Sequence, residues 1–271
     1  MKYLINIIKG VALGISTLVP GVSGGTMAII LGVYDNLIHA VGSFFKEWKK
    51  HILFLLQMGI GGLIGLVGFS KIMETALIHF EFPMIYLFLG IIFGGLPVLY
   101  KKAISVEVKE KKKTDYIFLL IGFAVVFLMT LQPNTIVNLA TSTGIASFMF
   151  NIVAGLIIAI ALILPGISTS FMLLTLGLYQ VTLDAINTRN LAFLIPIGIG
   201  GIIGTFGTAK IIENLLNKHP KKTYFLIIGF VLGSIIEVFP GIPTGMNILY
   251  CLLSFVVGLG LILLMSKWNK E

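Results

Sequence analysis

The chain has 271 residues, of which 57% are apolar and 11% are charged, and its mean hydropathy is +1.05. A soluble domain cannot carry so much apolar surface, because its exposed face needs polar and charged side chains. Apolar stretches of roughly 20 residues, the length that a membrane-spanning helix needs, follow one another along most of the chain. The composition therefore predicts an all-α integral membrane protein with little room for a soluble domain.

The net charge of +8 comes from short basic clusters between apolar stretches. The clusters are Lys46/Lys49/Lys50, Lys101/Lys102, residues 109–113, Lys218/Lys221/Lys222 and Lys267/Lys270. Such clusters are the topology signal of membrane proteins, so nucleic acid is not an expected partner. The single cysteine, Cys251, excludes a disulfide framework, and the four histidines lack metal-ligand spacing. We therefore expect no metal and no cofactor.

Ten apolar segments follow in chain order, and we predict each to be helical because backbone inside a bilayer must satisfy its own hydrogen bonds. The first half has segments at 3–19, 26–45, 52–80, 84–100 and 116–132. The second half has segments at 144–164, 170–187, 191–217, 223–239 and 246–266.

The two halves repeat one pattern. Residues 10–34 align with 155–179 at nine identical positions of 25, and residues 59–77 align with 198–216 at eleven of 19. The identities include Pro20/Pro165, Gly21/Gly166, Ser23/Ser168, Tyr34/Tyr179, Lys71/Lys210 and Glu74/Glu213. Shared apolar composition does not align Pro, Lys and Glu in order, so the alignment predicts an internal duplication.

The basic clusters predict the orientation of both copies, because cytoplasmic loops carry Lys and Arg. They place both termini, segment 46–50, loop 101–115 and segment 218–222 in the cytoplasm. The copies then enter the membrane in opposite orientations. We predict a first repeat at 1–132, an external linker at 133–143 and a second repeat at 144–271. Inverted repeats are typical of secondary transporters, whose substrate sites lie near the membrane midplane.

A Pro-Gly break separates the first two segments of each half, with PGVSGGT at 20–26 and PGISTS at 165–170. Proline removes a helix donor, glycine adopts unusual backbone angles, and Ser or Thr is suited to cap the restarting helix. Each pair of segments forms either a re-entrant hairpin or two full crossings. The alternative interpretation of each break is a tight turn or a kink used in packing.

The restarting helices offer free N–H groups and a positive dipole end, which suit a phosphate. Gly24 and Gly25 would let the phosphate approach the backbone closely. The residues predicted to bind phosphate at the breaks are Ser23, Gly24, Gly25, Thr26, Ser168, Thr169 and Ser170.

Charged pairs inside two long apolar segments are further candidates, since such charges are costly and usually functional. Lys71 and Glu74, like Lys210 and Glu213, are three residues apart and share one helix face. We predict that the lysines contact the phosphate and that the carboxylates, with Asp35, support coupling to a proton or a sodium ion. The alternatives are lysines that snorkel to the interface and, for Asp35, an ordinary loop carboxylate.

Two glycine-rich runs, at 59–68 and 198–207, place small residues at helical spacing. Such spacing predicts close helix–helix packing rather than a phosphate loop.

The run VPGVSGGTMAIILGVYDNLI, together with LPGIS and LLTLGLY in the second half, resembles the bacterial undecaprenyl-phosphate translocases of the polyprenyl-phosphate transporter family. The resemblance covers essentially the whole chain. It implies a plasma-membrane protein that returns undecaprenyl phosphate from the outer to the inner leaflet, for reuse in peptidoglycan and other envelope glycans. It also implies that the head group meets residues 23–26 on one side and 168–170 on the other. The first motif has Gly-Gly where the second has Thr-Ser, so the two sites need not bind equally.

Two other functions fit parts of the pattern. An ion-coupled transporter of a small soluble anion would have the same architecture but a closed cavity instead of a groove open to lipid. A membrane enzyme such as a lipid phosphatase would need a nucleophile and a base at the membrane edge, and the sequence offers no such set of His, Asp and Arg. We therefore expect a transporter and not an enzyme.

Overall fold

The computed structural model of the chain describes residues 2–18, 22–105, 115–130 and 144–268. Within these ranges all regular structure is helical, which confirms the predicted all-α class. The helices are α1 (Lys2–Thr17), α2 (Gly24–Ile30), α3 (Tyr34–Gly42), α4 (Phe44–His79), α5 (Glu81–Ser105), α6 (Tyr116–Thr130), α7 (Ile145–Ile163), α8 (Thr169–Thr175), α9 (Tyr179–Asn187), α10 (Leu191–Lys218), α11 (Pro220–Val238) and α12 (Asn247–Trp268).

Five of these helices, α4, α5, α7, α10 and α12, are long and apolar enough to cross a membrane. The pair α2 and α3 adds a sixth candidate, which is either a broken span or a re-entrant loop, because its two helices are bent by 120°. The helices α1 and α6 are apolar but shorter.

The second segment of each half is two helices, and the prediction of single helices at 26–45 and 170–187 was wrong. Gly32 and Gly177 adopt φ values of +69° and +67°, in the left-handed region. The amide of each glycine and the amide after it donate back to carbonyls of the preceding turn, as in a Schellman motif. A glycine that can adopt this conformation ends the helix even inside an apolar stretch.

The basic segment 46–50, predicted to be a loop, is helical and belongs to α4. The helix is kinked at Glu47, whose φ of −133° and ψ of 42° are not helical, but it does not end there. Lysine and glutamate are good helix formers, so a cluster of charges alone does not end a helix. Pro20, Gly21, residues 106–114 of the predicted cytoplasmic loop and the predicted linker 133–143 lie outside the described residues.

Four close helix pairs build most of the molecule: α1 with α4, α7 with α10, α5 with α12, and α6 with α11. The glycine runs lie at the first two of these contacts, as predicted. A side chain on Gly61 or Gly65 would meet the backbone of α1, and one on Gly200 or Gly204 would meet α7. Five other glycines of the runs face open space: Gly59, Gly68, Gly198, Gly201 and Gly207.

The short helix α2 lies in the centre of the molecule and contacts α1, α3, α5 and α7. Every residue from Gly25 to Ile30 is buried, and Ile29 is fully enclosed. The first helix break is therefore held in the protein interior, next to the second.

Candidate functional site

The two helix breaks contact each other. The hydroxyl of Ser23, which precedes α2, donates a hydrogen bond of 3.4 Å to the carbonyl oxygen of Leu164, which follows α7. In the opposite direction, the backbone N–H of Gly166 donates a bond of 2.9 Å to Oγ1 of Thr26. A segment of each break thus satisfies polar groups of the other, which irregular backbone in a protein interior requires.

Glycine at two positions makes this close approach possible. A side-chain carbon on Gly25 would lie 3.0 Å from Cα of Pro165, so α2 contacts the second break through its backbone. Gly166 has φ +84°, and a side chain there would overlap the backbone of Phe230 and Val231 in α11. Next to this contact, the buried hydroxyl of Tyr34 donates a hydrogen bond of 3.2 Å to the carbonyl oxygen of Ile163.

The residues predicted to bind phosphate at the breaks differ in exposure. Ser23, Gly25, Thr26 and Ser168 are buried, Gly24 and Thr169 are half-buried, and Ser170 is exposed. Ser23 occupies the N-cap position of α2, but its side chain makes no capping bond. The expectation of a Ser cap there was wrong because the hydroxyl donates to Leu164 of the other break instead.

A polar cluster joins α3, the start of α4 and α10. The carboxylate of Glu213 forms an ion pair with Lys210 at 2.6 Å. It also accepts a hydrogen bond of 2.7 Å from Ser43 Oγ and lies 2.5 Å from His39 Nδ1. Lys210 Nζ also lies 3.4 Å from Ser43 Oγ. The Glu213 side chain is only 7% exposed, whereas that of His39 is 52% exposed.

Two features adjoin this cluster. The ring of His51, from α4, stands edge-on to that of His39 with a centroid distance of 5.0 Å. Gly42 leaves room for the carboxylate, since a side-chain carbon there would lie 2.8 Å from Glu213 Oε2. The charged pair Lys210 and Glu213, predicted from its spacing, is thus part of a larger polar group.

Asp35 belongs to a second cluster, in the first turn of α3 rather than in a loop. Its carboxylate forms an ion pair with Lys102 of α5 at 2.6 Å. It also accepts a hydrogen bond from the Tyr224 hydroxyl of α11, which lies 2.8 Å from one carboxylate oxygen and 2.9 Å from the other. Lys102 also lies over the Tyr224 ring, 5.6 Å from its centroid. The carboxylate therefore ties α3 to α5 and α11.

Lys71 and Glu74 do not contact the other residues predicted to form the site. Both are exposed on α4, and Lys71 lines a surface groove with Thr75, His79 and neighbouring apolar residues.

A cavity of about 700 Å³ lies in the second half, between α7, α9 and α10, and its lining includes Ser147, Asp184 and Thr188. No group of His, Cys, Asp or Glu among the described residues is arranged to hold a metal ion.

Sequence reasoning missed His39, Ser43, Lys102 and Tyr224. One signal was present, since residues 35, 39 and 43 are four apart and therefore share one face of α3 and its C-cap. The partners of that face lie in α5, α10 and α11, and no pattern within α3 identifies them.

The long apolar helices, with two broken segments in contact in the interior, define a multi-pass membrane protein with discontinuous helices, an arrangement typical of transporters.

The model of the family described as "VCA0040-like: Undecaprenyl phosphate translocase-like" matches residues 13–249. The chain belongs to this family. The polyprenyl-phosphate transporter of Staphylococcus aureus (strain NCTC 8325 / PS 47) is 36% identical, over 98% of this chain and 97% of the relative. The polyprenyl-phosphate transporter of Vibrio cholerae serotype O1 (strain ATCC 39315 / El Tor Inaba N16961) is 30% identical, over 89% of this chain and 79% of the relative. No solved structure matches the chain.

Proposed function

We propose that this protein carries undecaprenyl phosphate across the bacterial plasma membrane, from the outer to the inner leaflet, so that the lipid carrier is reused in cell-envelope glycan synthesis. Membership of the translocase family carries this proposal. The phosphate head group cannot cross hydrocarbon unaided at a useful rate, because burying a charge without partners costs many kcal/mol. The protein supplies partners for the head group while the prenyl chain stays in lipid.

The contact between the two helix breaks is the proposed crossing point for the head group. Ser23, Thr26 and the backbone of 164–166 bring hydroxyl and N–H groups together in the interior. These groups now satisfy one another, so the breaks must separate for a phosphate to pass. Ser168 is buried in the second break and contributes from the other side.

We further propose that the halves have inverted topology, with both termini in the cytoplasm, and that they exchange roles during transport. The pairing of helices supports this, since α1 with α4 matches α7 with α10, and α5 with α12 matches α11 with α6. In the alignment of the two halves, Asp184 corresponds to His39 and Thr188 to Ser43. Likewise, Lys71 corresponds to Lys210 and Glu74 to Glu213. In the second state α9 then contacts α4, and Asp184 faces Lys71.

A leaflet-resolved assay tests the function. The full chain is reconstituted into liposomes with undecaprenyl phosphate, and the lipid accessible from outside is followed with a membrane-impermeant reagent specific for the phosphate. We expect rapid exchange between leaflets with the protein and slow exchange in empty liposomes. Imposed proton or sodium gradients identify the coupling ion. Equal rates with and without protein would refute the function, and transport of inorganic phosphate alone would favour the soluble-anion transporter.

A further inference from the structure

Building on the proposed function, we propose that His39, Ser43 and Lys210 form a second binding site for the lipid phosphate, and that the carboxylate of Glu213 occupies this site until the phosphate displaces it. The site lies where α3, α4 and α10 meet and is separate from the contact between the helix breaks.

The donors converge as they would on a phosphate. An ammonium, a hydroxyl and an imidazole nitrogen, from three different elements, all lie within 2.7 Å of the oxygens of one carboxylate. Ser43 sits at the N-cap position of α4, yet its side chain makes no capping bond and donates to Glu213 instead. Phosphate monoesters and carboxylates accept hydrogen bonds from the same charged donors, so a donor set that holds one also fits the other.

Two of the three donors are reachable, while Ser43 and the carboxylate are buried. The side chains of His39 and Lys210 are 52% and 38% exposed, whereas that of Glu213 is 7% exposed. A head group approaching from the membrane surface therefore meets the imidazole and the ammonium first. The carboxylate fits closely against Gly42, so it must move before a phosphate takes its place.

Aromatic side chains next to the donors favour a lipid over inorganic phosphate. Phe206 precedes Lys210 by one turn of α10, and its ring lies 4.8 Å from that of Phe45 and 5.9 Å from that of Phe44. Phe45 is 77% exposed and lies two positions after Ser43 in the chain. These rings form an apolar surface on which the first isoprene units can lie while the phosphate reaches the donors.

This arrangement predicts opposite effects for members of one cluster. If Glu213 competes with the phosphate, removing its charge strengthens phosphate binding, whereas removing a donor weakens it. If the cluster only ties α3 to α10, every substitution disturbs the same contact and none strengthens binding. The sign of the change in affinity therefore separates the two roles.

The test measures binding of farnesyl phosphate to the full chain in nanodiscs of uncharged lipid. We expect Glu213→Gln to lower Kd by about tenfold, and Lys210→Met and His39→Phe, which remove a donor, each to raise it by about tenfold, as expected for a hydrogen bond to a charged group. Phe45→Ala should weaken farnesyl phosphate binding more than inorganic phosphate binding. The exposed carboxylate of Glu81, at the start of α5, provides the control Glu81→Gln, with an unchanged Kd.

Weaker binding in Glu213→Gln, or a Kd unchanged in all three cluster variants, would overturn the proposal. Should Glu213→Gln fail to fold, Glu213→Asp, whose shorter side chain reaches the donors less well, should still lower Kd. These outcomes leave the proposed function intact if the wild-type protein moves undecaprenyl phosphate between leaflets. Failure of the wild-type protein in that assay would refute the function itself.

Discussion

The hydroxyl of Thr26 accepts a hydrogen bond of 2.9 Å from the backbone N–H of Gly166, although 140 positions separate the two residues. Both groups are buried, and the bond connects the start of α2 to the break between α7 and α8. The contact holds the start of α2 against the second helix break.

Thr26→Val should destabilise the protein, because valine keeps the shape of threonine but leaves the Gly166 N–H without an acceptor. A buried donor that loses its partner costs about 1–3 kcal/mol. We expect a lower melting temperature in detergent, measured by differential scanning fluorimetry. Thr75→Val is the matched control, since Thr75 is exposed on α4 and its hydroxyl bonds only within its own helix. Equal melting temperatures for the two variants would contradict this assignment.

Leucine at Ser23 or Ser168 should block transport. Both serines are buried, at 5% and 6% exposure, and a larger side chain would fill the space through which the head group is proposed to pass. Overpacking of a buried site costs about 1–3 kcal/mol, so the variants should still fold. We expect a large loss of leaflet exchange with a monodisperse elution profile. Ser70→Leu, at an exposed position of α4, is the control. Unchanged transport in both buried variants would show that the head group crosses elsewhere.

Two glycines of α4 that lie three positions apart, Gly65 and Gly68, should respond differently to alanine. In Gly65→Ala the new methyl group would overlap the carbonyl oxygen of Val11 in α1, so the helices must move apart and the melting temperature should fall. In Gly68→Ala the methyl group enters open space, and alanine favours the helix by about 1 kcal/mol over glycine. Gly204→Ala and Gly207→Ala repeat the comparison in α10. A similar fall at Gly68 would argue against the packing of α1 on α4.

Cysteine pairs should detect both states of the proposed exchange. In a Cys251→Ser background, a short bifunctional maleimide should cross-link the pair Ser43→Cys and Lys210→Cys in this arrangement, where Lys210 Nζ lies 3.4 Å from Ser43 Oγ. The spacer replaces the length that the cysteine at position 210 lacks relative to lysine. The pair Lys71→Cys and Thr188→Cys should cross-link only in the opposite state. We expect both products in membranes, with proportions that change when undecaprenyl phosphate is added. Cross-linking of the first pair alone, with or without the lipid, would exclude the exchange.

The helix breaks and the packing of the glycine runs could be predicted from the sequence, because each depends on local chemistry. An adjacent Pro-Gly pair favours interruption of a helix, and glycines four residues apart form a groove on one helix face. The extra breaks at Gly32 and Gly177 were missed because a single glycine in an apolar stretch is compatible with a continuous helix. Only the left-handed backbone at these positions distinguishes the two cases.

The cluster around Glu213 could be predicted only in part. The spacing of Lys210 and Glu213 indicated that they share a helix face, and the structure confirms their pairing. Their partner Ser43 lies 167 positions before Lys210, and the contact exists because α3 packs against α10. Nothing in the composition of α3 specifies that neighbour. The duplication suggested equal roles for Lys71 and Lys210, but the first is exposed and the second is paired.

The pairing of α5 with α12 and of α6 with α11 has a consequence for biogenesis. Each pair joins a helix of the first half to a helix of the second half, which is synthesised later, and both interfaces contain glycines that contact the partner backbone. During synthesis α5 and α6 therefore lie in the lipid without their main neighbours until α11 and α12 have been synthesised. A nascent chain that stalls before α11 would therefore leave the glycine-lined faces of α5 and α6 without their partners.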